Sequence, residues 1–489
     1  MSNFEFPKNF MIGGAAAATQ YEGAFDQDDK GMCVADYKFY NPKLVRNDTK
    51  INWLEMTKQE YNDAKKNKDL VFPFRWGIDF YNKYAEDFKL FKQVGINTFR
   101  TSISWSRIIP KNDGVVNQKA VDHYKKIFDE ALKNNIKLVL TINHYDCPIW
   151  LLEEFNGFEN KKSIEKFLEY AKVVLTEFDK YTDYWICFNE INLTTHGGYT
   201  GAGLVVDEND DKRLEKLYNA VHNQFVAQAL CVKLAHKINP NNKMGSMNAA
   251  GHSYPASTNP KDGLAELKVS QMYKWYFYEV IANGVYPQYA LNYFQKMNIK
   301  LNITEEEKEI LKNNTVDYLT FSYYSSNTVE YDEEEKNILH GKPGPRNKFL
   351  EATEWGWQID PIGLRVFMND LYYRFKKPIM IVENGMGVDE KWDDKKNELN
   401  DSYRINYLQE HLKNLLLAIY EDGVECIGYT IWTAIDLVSL SSKEMSKRYG
   451  LIYVDIDDYG KGSGERRIKE SGKWFKQVVD SNGKKLWEN

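Results

Sequence analysis

Short, largely apolar runs alternate with longer amphipathic segments along the whole chain. Eight of the apolar runs are typical of buried strands, and they span residues 10–16, 97–103, 137–143, 184–188, 243–247, 317–323, 378–382 and 426–432. Between them apolar residues return at helical spacing, which predicts helices over 79–94, 120–134, 163–180, 214–238, 362–376 and 402–422. Gly95 and Gly423 follow two of these segments, at the position where a glycine commonly ends a helix.

This alternation indicates the fold class. Strands that are apolar on both faces and separated by helices imply parallel pairing. Eight such units, with no Pro- or Gly-rich linker between them, predict that residues 1–489 form a single (β/α)₈ barrel domain. A doubly wound sheet is the alternative, but no GxGxxG motif follows any strand. Polar stretches at 41–67, 206–212, 331–348 and 389–400 are interpreted as barrel loops or solvated insertions.

Charge and cysteine usage narrow the classes of function. The 64 basic and 70 acidic residues give a net charge of −6, so the chain lacks the basic surface expected of a nucleic-acid-binding protein. No run approaches the roughly 18 apolar residues of a membrane span, and no signal-peptide pattern opens the sequence. Five scattered cysteines without a CxxC pair favour free thiols in a reducing cytoplasm. Nothing in the composition indicates an oligomeric state.

Polar, aromatic and carboxylate residues follow the predicted strands, at the end of a barrel where active sites form. Glu190 and Glu383 follow strands four and seven, so a closed barrel aims both into one opening. Such a pair hydrolyses glycosidic bonds, because one carboxylic acid protonates the leaving oxygen while the other carboxylate attacks carbon or activates water. The acid needs a pKa raised by desolvation or by a nearby anion. The other carboxylate must stay ionised, which Arg100 and Tyr323 are placed to assist.

Each of these residues also has a purely structural interpretation. A strand-end Glu can cap a helix, Arg100 can pair with a loop carboxylate, and His144 can be a structural histidine. Tyr323 and Trp432 can belong to the core. The combination favours catalysis, and it argues against a non-catalytic sugar-binding barrel. A metal hydrolase needs a cluster of His and Asp at the strand ends, and only His144 is so placed, so no metal or organic cofactor is expected.

Seven motifs, in order along the chain, resemble glycoside hydrolase family 1. They are TQYEG (19–23), NHYDCP (143–148), FNE (188–190), SYY (322–324), EWGWQIDP with GLR (354–365), VENG (382–385) and KRYG with YVD (447–455). The resemblance extends from Phe6 to about Trp474, which is nearly the whole chain. It implies a retaining β-glycosidase with a covalent glycosyl–enzyme intermediate.

The resemblance also implies roles for individual residues. Glu190 is the expected acid/base and Glu383 the expected nucleophile, with their carboxyl groups about 5–5.5 Å apart as in retaining enzymes. Asn189 is expected to hold the sugar 2-hydroxyl. The residues expected around the sugar are Gln20, His144 and Trp432, and Trp355 is expected to form a stacking wall for the aglycone.

The loop after the eighth strand departs from the family's common pattern. Members that act on plain sugars typically carry Asn-Phe-Glu-Trp there, whereas this chain has Ser439 in place of the Glu and Leu440 in place of the Trp. A Glu beside the sugar 6-position would repel a phosphate, and a Ser would not. Lys447 and Tyr449 add a cation and a hydroxyl. The three polar residues resemble the phosphate pocket of the 6-phospho-β-glycosidase branch. Because Lys-Arg-(Tyr/Phe)-Gly also occurs in plain β-glucosidases, the missing Glu carries this inference.

Leu440 bears on the choice between substrates. In this branch a Trp at its position accompanies 6-phosphogalactosides, and a smaller residue accompanies 6-phosphoglucosides. Leu440 has no N–H to donate to an axial 4-hydroxyl, which favours the glucosides. The sequence therefore predicts a cytoplasmic 6-phospho-β-glucosidase acting on phosphorylated disaccharides or aryl glucosides. A 6-phospho-β-galactosidase and a plain β-glucosidase are the alternatives.

Overall fold

A computed structural model of the protein describes residues 4–43, 45–46, 55–333 and 341–488. Eight parallel strands close into a barrel in chain order, with the first strand pairing with both the second and the last. The strands are β1 (Met11–Ala15), β2 (Thr98–Ser102), β3 (Lys137–Asn143), β4 (Tyr184–Phe188), β5 (Lys243–Ala250), β6 (Tyr318–Tyr323), β7 (Ile379–Asn384) and β8 (Cys426–Trp432). Every predicted strand overlaps one of them, so the predicted barrel is confirmed.

At least one helix follows each strand along the chain, and one helix after each strand is numbered. These helices are α1 (Phe80–Gln93), α2 (Gln118–Lys133), α3 (Lys162–Glu177), α4 (Arg213–Ile238), α5 (Tyr276–Asn283), α6 (Pro361–Phe375), α7 (Ser402–Tyr420) and α8 (Glu470–Asp480). Gly95 and Gly423 follow α1 and α7 with φ of +84° and +73°, as predicted for glycines that end helices. In the described part of the chain, no helix is both long enough and apolar enough to cross a bilayer.

Further helices and strands lie between or after the numbered ones. The helical ones are Ala18–Tyr21, Val34–Tyr37, Lys58–Lys66, Pro73–Trp76, Trp105–Ile108, Ile149–Phe155, Gly157–Glu159, Asp179–Tyr181, Ile191–Thr195, Gly198–Ala202, Pro260–Ser270, the π-helical Gln271–Trp275, Gln288–Lys296, Glu305–Asn313 and Lys484–Trp487. The short strands are Ser253–Pro255, Asn327–Tyr331, Gly341–Pro343, Val388–Asp389, Lys447–Arg448, Ile452–Val454 and Arg466–Ile468. The loops after β5, β6, β7 and β8 therefore contribute strands to three small sheets on the C-terminal side of the barrel.

The stretch 41–67, predicted to be a barrel loop or a solvated insertion, contains the helix Lys58–Lys66. Thr57 and Glu60 form a capping box at its start, and Tyr61 is buried, so a short amphipathic helix lies within a strongly polar stretch. Residues 44 and 47–54 of that stretch lie outside the described residues, as do 334–340 of the stretch 331–348.

Apolar side chains fill the barrel below its C-terminal opening. This inner layer consists of Met11, Val139, Ile186, Met247, Tyr318, Met380 and Val382. Arg100 of β2 is completely buried directly above it, with Nη2 3.5 Å from the sulfur of Met247. The apolar layer therefore forms a packed floor on which the polar groups of the opening are held.

Candidate active site

A cavity of about 1130 Å³ opens at the C-terminal ends of the strands. Seven of the residues predicted to form a site lie on its wall, namely Gln20, His144, Glu190, Glu383, Trp432, Ser439 and Tyr449. Arg100, Asn189 and Lys447 bond to or pack against wall residues from behind. The structure thus brings ten of the twelve predicted residues together.

Glu383 lies near the end of β7 and is held by a cation and a hydroxyl. Its Oε1 accepts a hydrogen bond from Arg100 Nη1 at 2.5 Å, and its Oε2 accepts one from the Tyr324 hydroxyl at 2.7 Å. Burial raises the pKa of the Glu383 carboxyl, and Arg100 is the strongest influence opposing that rise. An arginine in direct contact favours the carboxylate form, which is the form a nucleophile needs.

Glu190 follows β4 in the left-handed region, with φ of +39°. The Tyr145 hydroxyl donates to its Oε2 at 2.5 Å, and the Ser322 hydroxyl donates to its Oε1. Burial raises the pKa of Glu190 above its ordinary value, although these two hydroxyls oppose the rise. Among the described residues no cation contacts Glu190 directly, so it lacks the ion pair that favours the carboxylate form of Glu383.

Arg100 connects the two halves of the site. Its Nη2 donates to Asn189 Oδ1 at 2.6 Å and its Nε donates to Thr141 Oγ1 at 2.8 Å. Because Arg100 occupies the oxygen of the Asn189 amide, the amide N–H₂ group faces Glu190, at 3.4 Å from Oε2. Asn189 therefore presents N–H donors beside the Glu190 carboxyl group.

Gln20, His144 and Trp432 form the wall around the two carboxyl groups. Gln20 Nε2 donates to the carbonyl of Val438 at 2.7 Å, which joins the segment after β1 to the loop after β8. His144 Nε2 lies 3.8 Å from Glu383 Oε1, and its buried Nδ1 has no partner among the described residues. Burial, together with the positive charge of Arg100, lowers the pKa of His144 well below its usual range. His144 is therefore a neutral imidazole beside Glu383 on the cavity wall.

Two predicted residues do not line the cavity, and a near neighbour of each one does. The Tyr323 hydroxyl points away from the cavity and donates to the carbonyl of Asp360 at 3.0 Å, whereas Tyr324 lines the cavity and bonds Glu383. Trp355 is not on the cavity wall, and Trp357 is. The predictions for Tyr323 and Trp355 are therefore corrected. Tyr324, one place after Tyr323, and Trp357, two places after Trp355, face the cavity instead.

Ser439, Lys447 and Tyr449 lie together on one side of the cavity, as predicted. Ser441 joins them, with its hydroxyl 3.3 Å from that of Ser439 and accepting from Lys447 Nζ at 3.4 Å. The ammonium group of Lys447 also lies over the rings of Trp357 at 4.1 Å, Trp355 at 4.8 Å and Tyr449 at 5.7 Å. We call the four residues Ser439, Ser441, Lys447 and Tyr449 the oxyanion pocket.

Lys447 is only 1% exposed, and within the described part of the chain it makes no ion pair. The charges beneath it are, by contrast, paired. Three cations and three carboxylates form a buried network there, made of Arg404, Arg448, Lys469, Asp401, Glu390 and Asp436. Lys447 is thus a buried cation without a counter-ion among the described residues, and an anion in the cavity would supply one.

Several residues of the site escaped the sequence analysis. They are Tyr145, Ser322, Tyr324, Trp357 and Ser441. Tyr145 lies in the motif NHYDCP, and Ser322 and Tyr324 lie in the motif SYY, so the sequence did mark these segments. A motif does not tell, however, which of its side chains points into the cavity. Ser441 carries no motif signal and is found only from the geometry.

A closed barrel whose C-terminal opening holds two buried carboxyl groups, one bound to an arginine, defines a glycoside hydrolase. The family model for glycosyl hydrolase family 1 matches residues 2–484, and the chain belongs to this family. The predicted family is therefore confirmed.

Two named relatives and one solved structure are similar to this chain over nearly its whole length. The chain is 42% identical over 484 residues to the aryl-phospho-beta-D-glucosidase BglH of Bacillus subtilis (strain 168), covering 98% of each protein. It is 43% identical over 493 residues to a 6-phospho-beta-glucosidase of Clostridium longisporum, covering 99% of each. The solved structure of a family 1 b-glucosidase from Thermotoga maritima matches with a TM-score of 0.82 and 28% identity, covering 99% of each chain.

Proposed function

We propose that the protein is a retaining 6-phospho-β-glucosidase that cleaves phosphorylated aryl glucosides or disaccharides. The observation that carries the phosphate specificity is Lys447, a buried ammonium group beside three hydroxyls with no carboxylate bound to it. A phosphate on the sugar 6-position would accept hydrogen bonds from these groups and supply the missing negative charge. The names of the relatives, at more than 40% identity over nearly the whole chain, support the same substrate class.

The two carboxyl groups supply the chemistry in this proposal. Glu190 gives its proton to the glycosidic oxygen as the bond to the anomeric carbon breaks, while Glu383 attacks that carbon and forms a glycosyl ester. Glu190, now a carboxylate, takes a proton from water, and the resulting hydroxide equivalent displaces Glu383. Each step breaks one bond to the anomeric carbon, forms another on its opposite face and moves one proton. The two inversions restore the original configuration, and both carboxyl groups return to their starting states.

The surrounding groups favour these separate roles for Glu190 as acid and base and for Glu383 as nucleophile. Arg100 and the Tyr324 hydroxyl stabilise the negative charge of Glu383 before attack and again when the ester breaks. Burial and the absence of a direct cation keep the proton on Glu190. Asn189, whose amide is oriented by Arg100, is placed to donate to the sugar 2-hydroxyl.

The part of the cavity away from the oxyanion pocket suits an apolar aglycone. Its wall includes Leu193, Met272 and Tyr273, which offer a ring and methyl groups to an aryl leaving group. Leu440 also lies on the wall, next to Ser439. Its aliphatic side chain donates no hydrogen bond to an axial 4-hydroxyl, which supports the glucoside rather than the galactoside.

We also propose that the enzyme works in the cytoplasm. All five cysteines are free and buried, and none forms a disulfide. Free thiols persist in a reducing compartment, and this supports the proposal.

The phosphate specificity is tested by comparing 4-nitrophenyl β-glucoside with its 6-phosphate. We expect kcat/KM to be much higher for the phosphorylated substrate. Lys447→Met, which keeps the volume of the side chain and removes its charge, should lower kcat/KM for that substrate at least about 30-fold, mainly through KM. It should leave the unphosphorylated substrate unaffected. Equal values of kcat/KM for both substrates in the wild-type enzyme would contradict the proposed specificity.

The charge of Lys447 also predicts a dependence on pH. Burial lowers the pKa of Lys447 to about 7, although Glu444 opposes that shift. The free enzyme therefore loses this positive charge as pH rises through about 7, while the substrate phosphate is a dianion above about pH 6. KM for the phosphorylated substrate should rise above pH 7 and KM for the unphosphorylated one should not. In Lys447→Met the KM for the phosphorylated substrate should lose its rise above pH 7, and persistence of that rise would exclude Lys447 as its cause.

A further inference from the structure

Three carboxylates surround the oxyanion pocket without entering it. Glu354 precedes Trp355, whose ring lies 4.8 Å from Lys447 Nζ. Asp389 is the partner of Lys447 in the short ladder between Val388–Asp389 and Lys447–Arg448. Glu444 lies on the same loop as Lys447 and raises its pKa through its negative charge. Each carboxylate is therefore joined to an element that forms the pocket.

Arg46 binds all three of these carboxylates. Its Nη1 lies 2.8 Å from Asp389 Oδ2 and 3.3 Å from Glu354 Oε2, and its Nε lies 3.2 Å from Glu444 Oε1. Its Nη2 also donates to the Ser446 hydroxyl at 3.4 Å. The guanidinium group lies 4.8 Å from the centre of the Trp355 ring, a ring that Lys447 also contacts.

Glu444 is the carboxylate whose position matters most. Its side chain is buried, and its Oε2 has no hydrogen-bond partner among the described residues, so Arg46 provides its one ion pair. If Arg46 were removed, this desolvated carboxylate would lose the cation that pairs with it, while Lys447, three residues further along the same loop, already lies within its electrostatic influence. An ion pair between Glu444 and Lys447 would use the charge that the substrate phosphate needs.

We propose that Arg46 is a positioning residue that sets the specificity for phosphorylated substrates by holding Glu444, Asp389 and Glu354 away from Lys447. It neutralises part of their negative charge and keeps the pocket's cation free for an external anion. The inference rests on the proposed function, since it concerns the same phosphate site. Arg46 acts through Glu444 and Lys447, and it need not touch the substrate.

The test is Arg46→Gln, assayed with 4-nitrophenyl β-glucoside 6-phosphate and with the unphosphorylated glucoside. We expect KM for the phosphorylated substrate to rise about tenfold with kcat unchanged, and no change for the unphosphorylated one. Adding Glu444→Gln to Arg46→Gln should restore KM, because the competing carboxylate is gone. Arg46→Lys should fall between the wild type and Arg46→Gln.

Arg365 provides a matched control. It also binds two carboxylates on the protein surface, with Asp422 at 2.6 Å and Glu421 at 2.9 Å, but neither it nor these carboxylates line the cavity. Arg365→Gln should leave the ratio of the two KM values at the wild-type level. Thermal melting of each variant separates loss of folding from loss of specificity.

The outcomes distinguish this inference from the proposed function. A wild-type enzyme that does not prefer the phosphorylated substrate overturns the proposed function and the inference with it. A wild-type preference that Arg46→Gln retains overturns the inference alone. An equal loss on both substrates, or no rescue by Glu444→Gln, assigns Arg46 a purely structural role and also overturns it.

Discussion

Glu383→Gln is expected to lower kcat for 4-nitrophenyl β-glucoside 6-phosphate by about four to six orders of magnitude, since no other group can form the glycosyl ester. The substitution keeps the shape of the side chain and its hydrogen bond from Tyr324, but it removes the negative charge that pairs with Arg100. Steady-state kinetics measures the loss. A kcat within tenfold of wild type would contradict the assignment of Glu383 as the nucleophile.

The stereochemistry of rescue tests the same assignment independently of rate. In Glu383→Ala, azide can enter the space of the missing carboxylate and attack the anomeric carbon from the face opposite to the leaving group. The product should be the α-glycosyl azide, identified by NMR. A β-azide from this variant would mean that Glu383 lies on the other side of the sugar.

Glu190→Gln is expected to affect kcat/KM according to the leaving group. Removing a general acid costs about 10²- to 10⁴-fold where the leaving oxygen must be protonated, as in a phosphorylated disaccharide. A 2,4-dinitrophenolate leaves without protonation, so kcat/KM for that glycoside 6-phosphate should stay near the wild-type value. Its kcat should still fall, because water in the second step needs the Glu190 carboxylate as a base, and a burst of dinitrophenolate should precede the steady state.

The complementary azide experiment completes the assignment. In Glu190→Ala, azide should attack the glycosyl ester from the face of the missing carboxyl group and give the β-glycosyl azide. The two alanine variants should therefore give opposite anomers. An equal loss of kcat/KM for good and poor leaving groups would argue against an acid role for Glu190.

The barrel was predictable because its strands leave a local signal. Both faces of each strand are buried, so β3 and β8 appear in the sequence as apolar runs that no loop or surface helix would show. The opening could then be predicted from connectivity alone, since every strand of a parallel barrel delivers its next residues to the same end. This is why Glu190 and Glu383, far apart in sequence, were expected in one cavity.

The choice between adjacent side chains was not predictable in the same way. Along β6, Ser322 bonds Glu190 inside the barrel, so Tyr323 must point out toward Asp360 and Tyr324 in toward Glu383. The alternation is fixed, but its phase depends on the register with β5 and β7, which apolar composition does not reveal. Trp355 and Trp357 lie on an irregular loop, where no periodic rule applies, and Ser441 takes its place only because the loop folds back on itself.

The closure of the barrel has a consequence for biosynthesis. β1 pairs with β8, and the charge network beneath the oxyanion pocket includes Lys469, which follows β8. A nascent chain that has emerged only as far as β7 already contains both catalytic carboxylates, yet it has an open sheet with exposed edges. The barrel that brings Glu190 and Glu383 into one opening can therefore close only after the last strand has left the ribosome and paired with the first.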